Sequence, residues 1–396
     1  MFRTGDDVAN NSEARPRWRV PRTNNPKVHR RLQEALTEAV AAVLYGDPWE
    51  AQQLIGQFER AFGQALGHRH VSAVQSGSAG LRLALLACGV RPGDEVITVA
   101  NSDIATTAAI SHCGASPVLC DVRADDYTID PDRVAVLIGE RTVGLLPVDL
   151  HGHPSDAAAL RAIADRHGLF IVQDATLATG ARDRGQRLGA YADMIVFSCS
   201  PFKPFSGIGS GGLVATEQPP LWERVELLKG YGARRGATPP VTYYHLVEGY
   251  NLSMSPMEAA VLAVKLPYLA TWSAKRRLIG QWYAERLAGI PGVGLPQPRR
   301  EAEAIYRTYT VQVPQRDEVY RRLHEQGIHA ALHYVPPVHQ QPVYRERRLR
   351  GADSLPITEA LAARTLSLPV DPEFTEAEVD LVCDVLRATL AMTPRP

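Results

Sequence analysis

Lys203 stands between Pro201-Phe202 and Pro204-Phe205 in the run FSCSPFKPF. Proline and aromatic neighbours deprive an ammonium group of solvation, which lowers its pKa and makes the amine nucleophilic. A single loop lysine is just as compatible with a solvated surface group, so its neighbours in space decide its meaning. Asp174 closes the apolar run LFIVQ and is followed by Ala175, Thr176, Leu177 and Ala178. A carboxylate in such company needs a cation or hydrogen-bond donors to stay ionised. Gln75-Ser76-Gly77-Ser78-Ala79-Gly80 follows HVSAV and opens a helical stretch. Backbone N–H groups and serine hydroxyls at a helix start can hold an anion; the same residues also make an ordinary N-cap. Further polar groups follow other apolar runs: Asn101, Ser102 and Asp103 after EVITVA, His151 after TVGLLPVDL, and Ser198, Cys199 and Ser200 after DMIVF.

These clusters share a location. HVSAV (70–74), EVITVA (95–100), ASPVLCDV (115–122), TVGLLPVDL (142–150), LFIVQD (169–174), DMIVFS (193–198) and GGLVAT (211–216) are short Val/Ile-rich runs. Helical stretches such as DAAALRAIADRHG (156–168) separate several of them, which predicts a doubly wound, mostly parallel α/β sheet, with GGLVAT ending it. Ligands of such sheets sit beyond the carboxyl ends of the strands, where all five polar clusters lie. Residues 1–27, polar and broken by Pro16, Pro21 and Pro26, are expected to form a mobile arm, 28–270 the large α/β domain, and 271–396 a smaller α+β domain. The smaller domain should contain strand YRTYTVQV (306–313), a helix near 317–326 and a last helix over 375–390.

Other chemistries fit less well. Lys+Arg 43 balances Asp+Glu 43, which argues against a nucleic-acid binder. No apolar run reaches the roughly 18 residues of a membrane span, and the polar N-terminus lacks a signal peptide, so a cytoplasmic protein is expected. Five dispersed cysteines without a CxxC indicate neither disulfides nor a zinc knuckle. Gly207-Ile-Gly209-Ser-Gly211-Gly212 satisfies GxGxxG but precedes a strand, which fails the dinucleotide context. Asp149, His151 and His153 alternate and would share a face of a strand as metal ligands, but Gly152 and Pro154 place the histidines in a turn. The run 344–350 reads as a solvated basic face.

Taken together, SGSAGLRLAL (76–85), RPGDEVITVA (91–100), IVQDA (171–175), FSCSPFKPF (197–205), GSGGLVAT (209–216), GYNLSMSPMEAA (249–260) and HYVPPVHQQPVY (333–344) resemble the DegT/DnrJ/EryC1/StrS family of sugar aminotransferases, pyridoxal 5'-phosphate (PLP) enzymes of fold type I. The resemblance runs in order from about residue 37 to 390. It implies that Lys203 forms the imine with PLP and that Asp174 keeps the pyridine nitrogen protonated. It further implies that Ser78 binds the phosphate with the N–H groups of Gly77 and Ala79, helped by Ser198. Asn251 resembles the residue that reaches the phosphate from the neighbouring subunit, which implies a homodimer. These roles match what PLP needs: an amine, an anion and a donor cluster. The implied reaction moves nitrogen from an amino acid, commonly glutamate, to a keto-sugar, often nucleotide-linked; Lys203 favours it over the family's dehydratases, which carry His there.

The chain also departs from the family. Ser78 stands for Thr, Asp103 for an aromatic residue over the cofactor ring, Leu177 for Gln or His, Asp149-x-His151 for His-x-Tyr, and Ser253 for Arg. The substrate side of the pocket then falls to Asp103, His151 and His339. Asp103 either orients a substrate group or merely caps the helix beginning at Ile104. Three rival readings are an elimination or epimerisation on a sugar or cyclitol, a cofactor-binding regulator, and a metal hydrolase using Asp149, His151 and His153.

Overall fold

The computed structural model describes residues 18–233 and 244–392; residues 1–17 of the expected arm lie outside them. Seven strands form the central sheet: β1 (His70–Val74), β2 (Glu95–Val99), β3 (Ser116–Cys120), β4 (Thr142–Leu145), β5 (Phe170–Asp174), β6 (Met194–Ser198) and β7 (Gly212–Thr216). Their order is β1-β7-β6-β5-β4-β2-β3. β7 runs antiparallel to β1 and β6, and the other pairs are parallel. The strands are Val/Ile-rich and buried because helices cover both faces of the sheet. GGLVAT therefore does not end the sheet but fills the slot between β1 and β6. The run 142–150 is a strand only to Leu145. Pro147 has no N–H to give a ladder, Val148 makes a single bridge to Asp174, and residues 150–152 turn in a short 3-10 helix.

The helix Leu269–Leu287 joins two cores. Its first turns place Leu269 and Trp272 against Phe62, Phe197 and Phe205 of the large unit. Its later turns place Ile279, Tyr283 and Leu287 in a second core with Val311, Leu368 and Leu386. The expected boundary at 270/271 thus falls inside a continuous helix. The second unit is built on an antiparallel pair, β8 (Tyr309–Gln312) and β9 (Thr365–Leu368), with helices Arg316–Glu325 and Glu376–Met392 packed on it.

Residues 18–27 are not a mobile arm. Val20 is fully buried in the second core and pairs with Ile328. Arg19 and Val20 donate their N–H groups to the Gly327 carbonyl at 2.8 and 3.1 Å, and Trp18 stacks on His329 with ring centroids 4.4 Å apart. A helix already starts at Asn25.

Candidate active site

A cavity of about 280 Å³ opens beyond the carboxyl ends of β1, β2, β5 and β6. Gly77, Ser78, Asp103, Asp174, Leu177, Ser198 and Lys203 line it together, from four separate stretches of chain. Asp174, the last residue of β5, is buried at its floor. Its carboxylate accepts from the Thr106 hydroxyl at 2.8 Å and from the Thr176 N–H at 3.1 Å. Burial raises its pKa, opposed by these bonds and by the charge of Lys203. Lys203 is half-buried, because it borders the cavity while protein encloses its other sides. Burial, with the charge of Arg307, pulls its amine down to about 8, against the attraction of Asp174 and Asp103. Among the described residues its amine makes no hydrogen bond or close ion pair. At pH 7 about a tenth of such amines are neutral, against roughly three in ten thousand for an ordinary lysine.

The start of helix Gly77–Ala87 forms the opposite wall. A Cβ on Gly77 would lie 2.8 Å from the Ser198 Cβ, so only glycine lets these two strand ends close on each other. The Ala79 N–H is not free: it donates to the Ser76 hydroxyl at 3.1 Å, an N-cap bond. The capping and anion-binding readings thus divide between residues. Ser76 caps, while the N–H groups of Gly77 and Ser78 and the hydroxyls of Ser78, Ser198, Ser200 and Ser210 have no protein partner among the described residues. An uncommitted donor cluster, an anion at the floor and a low-pKa amine fit the phosphate, ring nitrogen and aldehyde of PLP.

Asp103 caps its helix and also borders the cavity. Its carboxylate accepts from the Ala105 N–H at 2.9 Å as the N-cap of Ile104–Ser111, and it lines the cavity. Its helix also supplies Thr106, one turn on, whose hydroxyl lies 3.0 Å from that of Ser102. Thr106 was missed; the signal was its three-residue spacing from Asp103.

Two expected residues, His151 and His339, lie elsewhere, and Asn251, expected to reach a neighbouring subunit, is outside the cavity of its own chain. His151 is buried outside the cavity, its Nδ1 3.4 Å from the Thr308 hydroxyl, and burial drives its pKa well below the usual value. Its carbonyl accepts the Arg307 N–H at 2.8 Å. His339 bonds Glu359 through Nε2 at 3.0 Å and does not line the cavity. Asn251 is exposed and pairs with Gly230, also outside the cavity of its own chain. Of the alternating trio Asp149, His151 and His153, the Asp149 carboxylate accepts from the Ser155 N–H and hydroxyl and from Gln173 Nε2, each at 2.8 Å. Among the described residues no group of three possible ligands converges. Tyr334, from the HYVPP loop, joins the lining, and burial pushes its phenol up to about 12.

The family model described as the DegT/DnrJ/EryC1/StrS aminotransferase family matches residues 30–387. The chain is 40% identical over 331 residues to "Erythromycin biosynthesis sensory transduction protein EryC1" of Saccharopolyspora erythraea, covering 84% of this chain and 88% of that one. It is 38% identical over 370 residues to the dTDP-3-amino-3,4,6-trideoxy-alpha-D-glucose transaminase of Streptomyces venezuelae, covering 93% and 96%. The crystal structure of S. venezuelae DesV in complex with a ketimine intermediate superposes with a TM-score of 0.88 at 37% identity, covering 96% of this chain and 100% of that one.

Proposed function

The chain belongs to the DegT/DnrJ/EryC1/StrS aminotransferase family, and from that premise we propose that it transfers an amino group from an amino acid to a keto-sugar carried on a nucleotide. The observation that carries the reading is the Lys203 amine, held near pKa 8 in one cavity with Asp174 and the uncommitted donors of Gly77, Ser78 and Ser198. The cofactor is PLP, which supplies an electron sink for the bonds of the amine-bearing carbon. Lys203 would hold it covalently, Asp174 would face its ring nitrogen, and Gly77, Ser78 and Ser198 would take its phosphate. Asp174 would keep a proton on that nitrogen, since among the described residues its buried carboxylate is in no ion pair. Lys203, once its amine is free, is placed to take the proton from the amino acid's α-carbon and to return one to the sugar carbon. The sum is an amino acid and a keto-sugar giving a 2-oxo acid and an amino-sugar.

Supplied with glutamate and a nucleotide-linked keto-sugar, the protein should form the amino-sugar and 2-oxoglutarate in equal amounts by mass spectrometry. Release of ammonia or loss of water from the sugar, without 2-oxoglutarate, would favour elimination instead.

The working form in this reading is a homodimer with Asn251 completing the partner's phosphate site. Supporting it, Asn251 is exposed, and Tyr45, Trp49 and Phe202 expose 86%, 80% and 54% of their surfaces, an apolar excess for an isolated chain. Sedimentation at nanomolar concentration should give a dimer; a fully active monomer would remove Asn251 from the site. Among the described residues no helix is long and apolar enough to cross a membrane. The proposed setting is the cytoplasm, without membrane or nucleic acid, and the balance of 43 basic and 43 acidic residues supports the lack of a nucleic-acid partner.

A further inference from the structure

We propose that Arg22 and Arg307 form one anion-binding subsite beside Lys203, and that it takes the carboxylate of the amino donor; this deepens the transaminase reading and rests on it. The two guanidinium groups converge on Phe202, the residue before Lys203. Arg307 Nε donates to the Phe202 carbonyl at 3.0 Å, and the guanidinium carbon of Arg22 lies 5.4 Å from the centroid of the Phe202 ring. Neither arginine is in an ion pair among the described residues, and Arg22 Nε is buried with no partner at all. Arg307 is 6% exposed. Burial first, and then the charge of Arg22, bring its pKa down to about 9. Two neighbouring cations, one buried and one half-buried, without a counter-ion among the described residues are unfavourable unless an anion completes the set. The nearby carboxylates pair with neither arginine among the described residues: Asp103 accepts from the Ala105 N–H of the helix it caps and Asp174 from Thr106 and Thr176.

The subsite is built rather than incidental, because each arginine is delivered by its own packed segment. Arg22 follows the stretch held by Trp18, Val20 and the Gly327 carbonyl, and His329 adds an N–H bond to the Val20 carbonyl at 2.9 Å. Arg307 is fixed by its N–H bond to His151 and by Ile305 donating to Gly152 at 3.0 Å. Gly152 has φ +92°, and a Cβ there would lie 2.9 Å from the Arg307 nitrogen, so glycine is required for this docking. Tyr334, which lines the cavity, lies in the field of both arginines.

Position selects the anion. An α-amino acid carries its carboxylate on the carbon that bears the nitrogen, so that carboxylate must lie close to Lys203 when the nitrogen is transferred. The diphosphate of a nucleotide-sugar is separated from the reacting carbon by the sugar ring. A pair of guanidinium forks also matches a planar carboxylate, which they can grip through parallel hydrogen bonds.

The test uses the PLP-loaded protein and its Arg22→Gln, Arg307→Gln and Arg307→Lys variants, with glutarate, a dicarboxylate lacking the amine, as calorimetric probe and thymidine diphosphate as control. Glutarate should bind about 10- to 100-fold more weakly to both Gln variants and to an intermediate degree to Arg307→Lys, with thymidine diphosphate within about twofold of wild type. Unchanged glutarate affinity in Arg22→Gln, or an equal loss for thymidine diphosphate, overturns the assignment. Arg22 is only half-buried, so Arg22→Gln decides alone if Arg307→Gln does not fold. A wild-type protein without the visible band of lysine-bound PLP would overturn the transaminase reading and the subsite with it. A wild-type protein with that band and unchanged glutarate affinity in the variants would overturn the subsite alone.

Discussion

Lys203→Ala should lose at least about four orders of magnitude in transamination rate, because general acid–base action alone contributes roughly 10²–10⁴ and covalent attachment of PLP is lost with it. At ~1.4 kcal/mol per tenfold, that is ~5.5 kcal/mol of barrier. The fold should survive, since the side chain is half-buried and its amine makes no hydrogen bond among the described residues. The visible band of lysine-bound PLP should vanish, and borohydride should no longer fix PLP to the peptide containing Pro201–Phe205. The wild type has a further signature. Burial lowers the amine to about 8, and only the neutral amine attacks a carbonyl. PLP uptake by the apoprotein should therefore speed up roughly tenfold per pH unit below 8 and level off above it. An ordinary lysine would keep accelerating to about pH 10.4. A variant that still yields a borohydride-reducible adduct would remove Lys203 from its role.

What the sequence revealed and what it hid follow from how far each residue's environment depends on distant chain. The seven strands are legible because strands buried on both faces of a sheet are continuous Val/Ile runs, and Asp174, Ser198 and Lys203 are legible because they end or follow those runs. Thr106 sits within ATTA, where threonine looks like filler; only the helical offset from Asp103 aims it at Asp174. Arg307 precedes a strand, and nothing local says it turns toward Lys203; the turn at His151-Gly152 decides that. Arg22 lies in a polar, proline-broken stretch that looks mobile, yet Trp18 and Val20 find His329 and Ile328 from the far end of the chain. β9 escaped notice because TLSL is four residues with little apolar contrast, buried only by pairing with β8. For Arg307, Arg22 and β9 the missing information was a contact between segments that no local pattern encodes.

Asp174→Asn should keep PLP bound and lose about 10²–10³ in rate, the usual effect of removing one preorganised electrostatic group from a buried site. Retention is expected because, in the proposed reading, Lys203, Gly77, Ser78 and Ser198, not Asp174, would supply the covalent bond and the phosphate donors. The rate falls because a neutral amide cannot hold a proton on the ring nitrogen, and without it the ring is a poorer electron sink. Stability should move the other way. Burial raises the pKa of Asp174, so its ionised form at pH 7 is disfavoured in the folded state relative to the unfolded one. Removing that charge at nearly constant shape should leave the melting temperature of the PLP-free protein equal or higher. Asparagine can still accept from the Thr106 hydroxyl or the Thr176 N–H, so the wall of the cavity is kept. A slower enzyme with a firmer apoprotein is the combination that separates an electrostatic role from a structural one. Near-normal turnover would take the ring nitrogen away from Asp174, and a fall in melting temperature would make the residue a brace for the helix Ile104–Ser111.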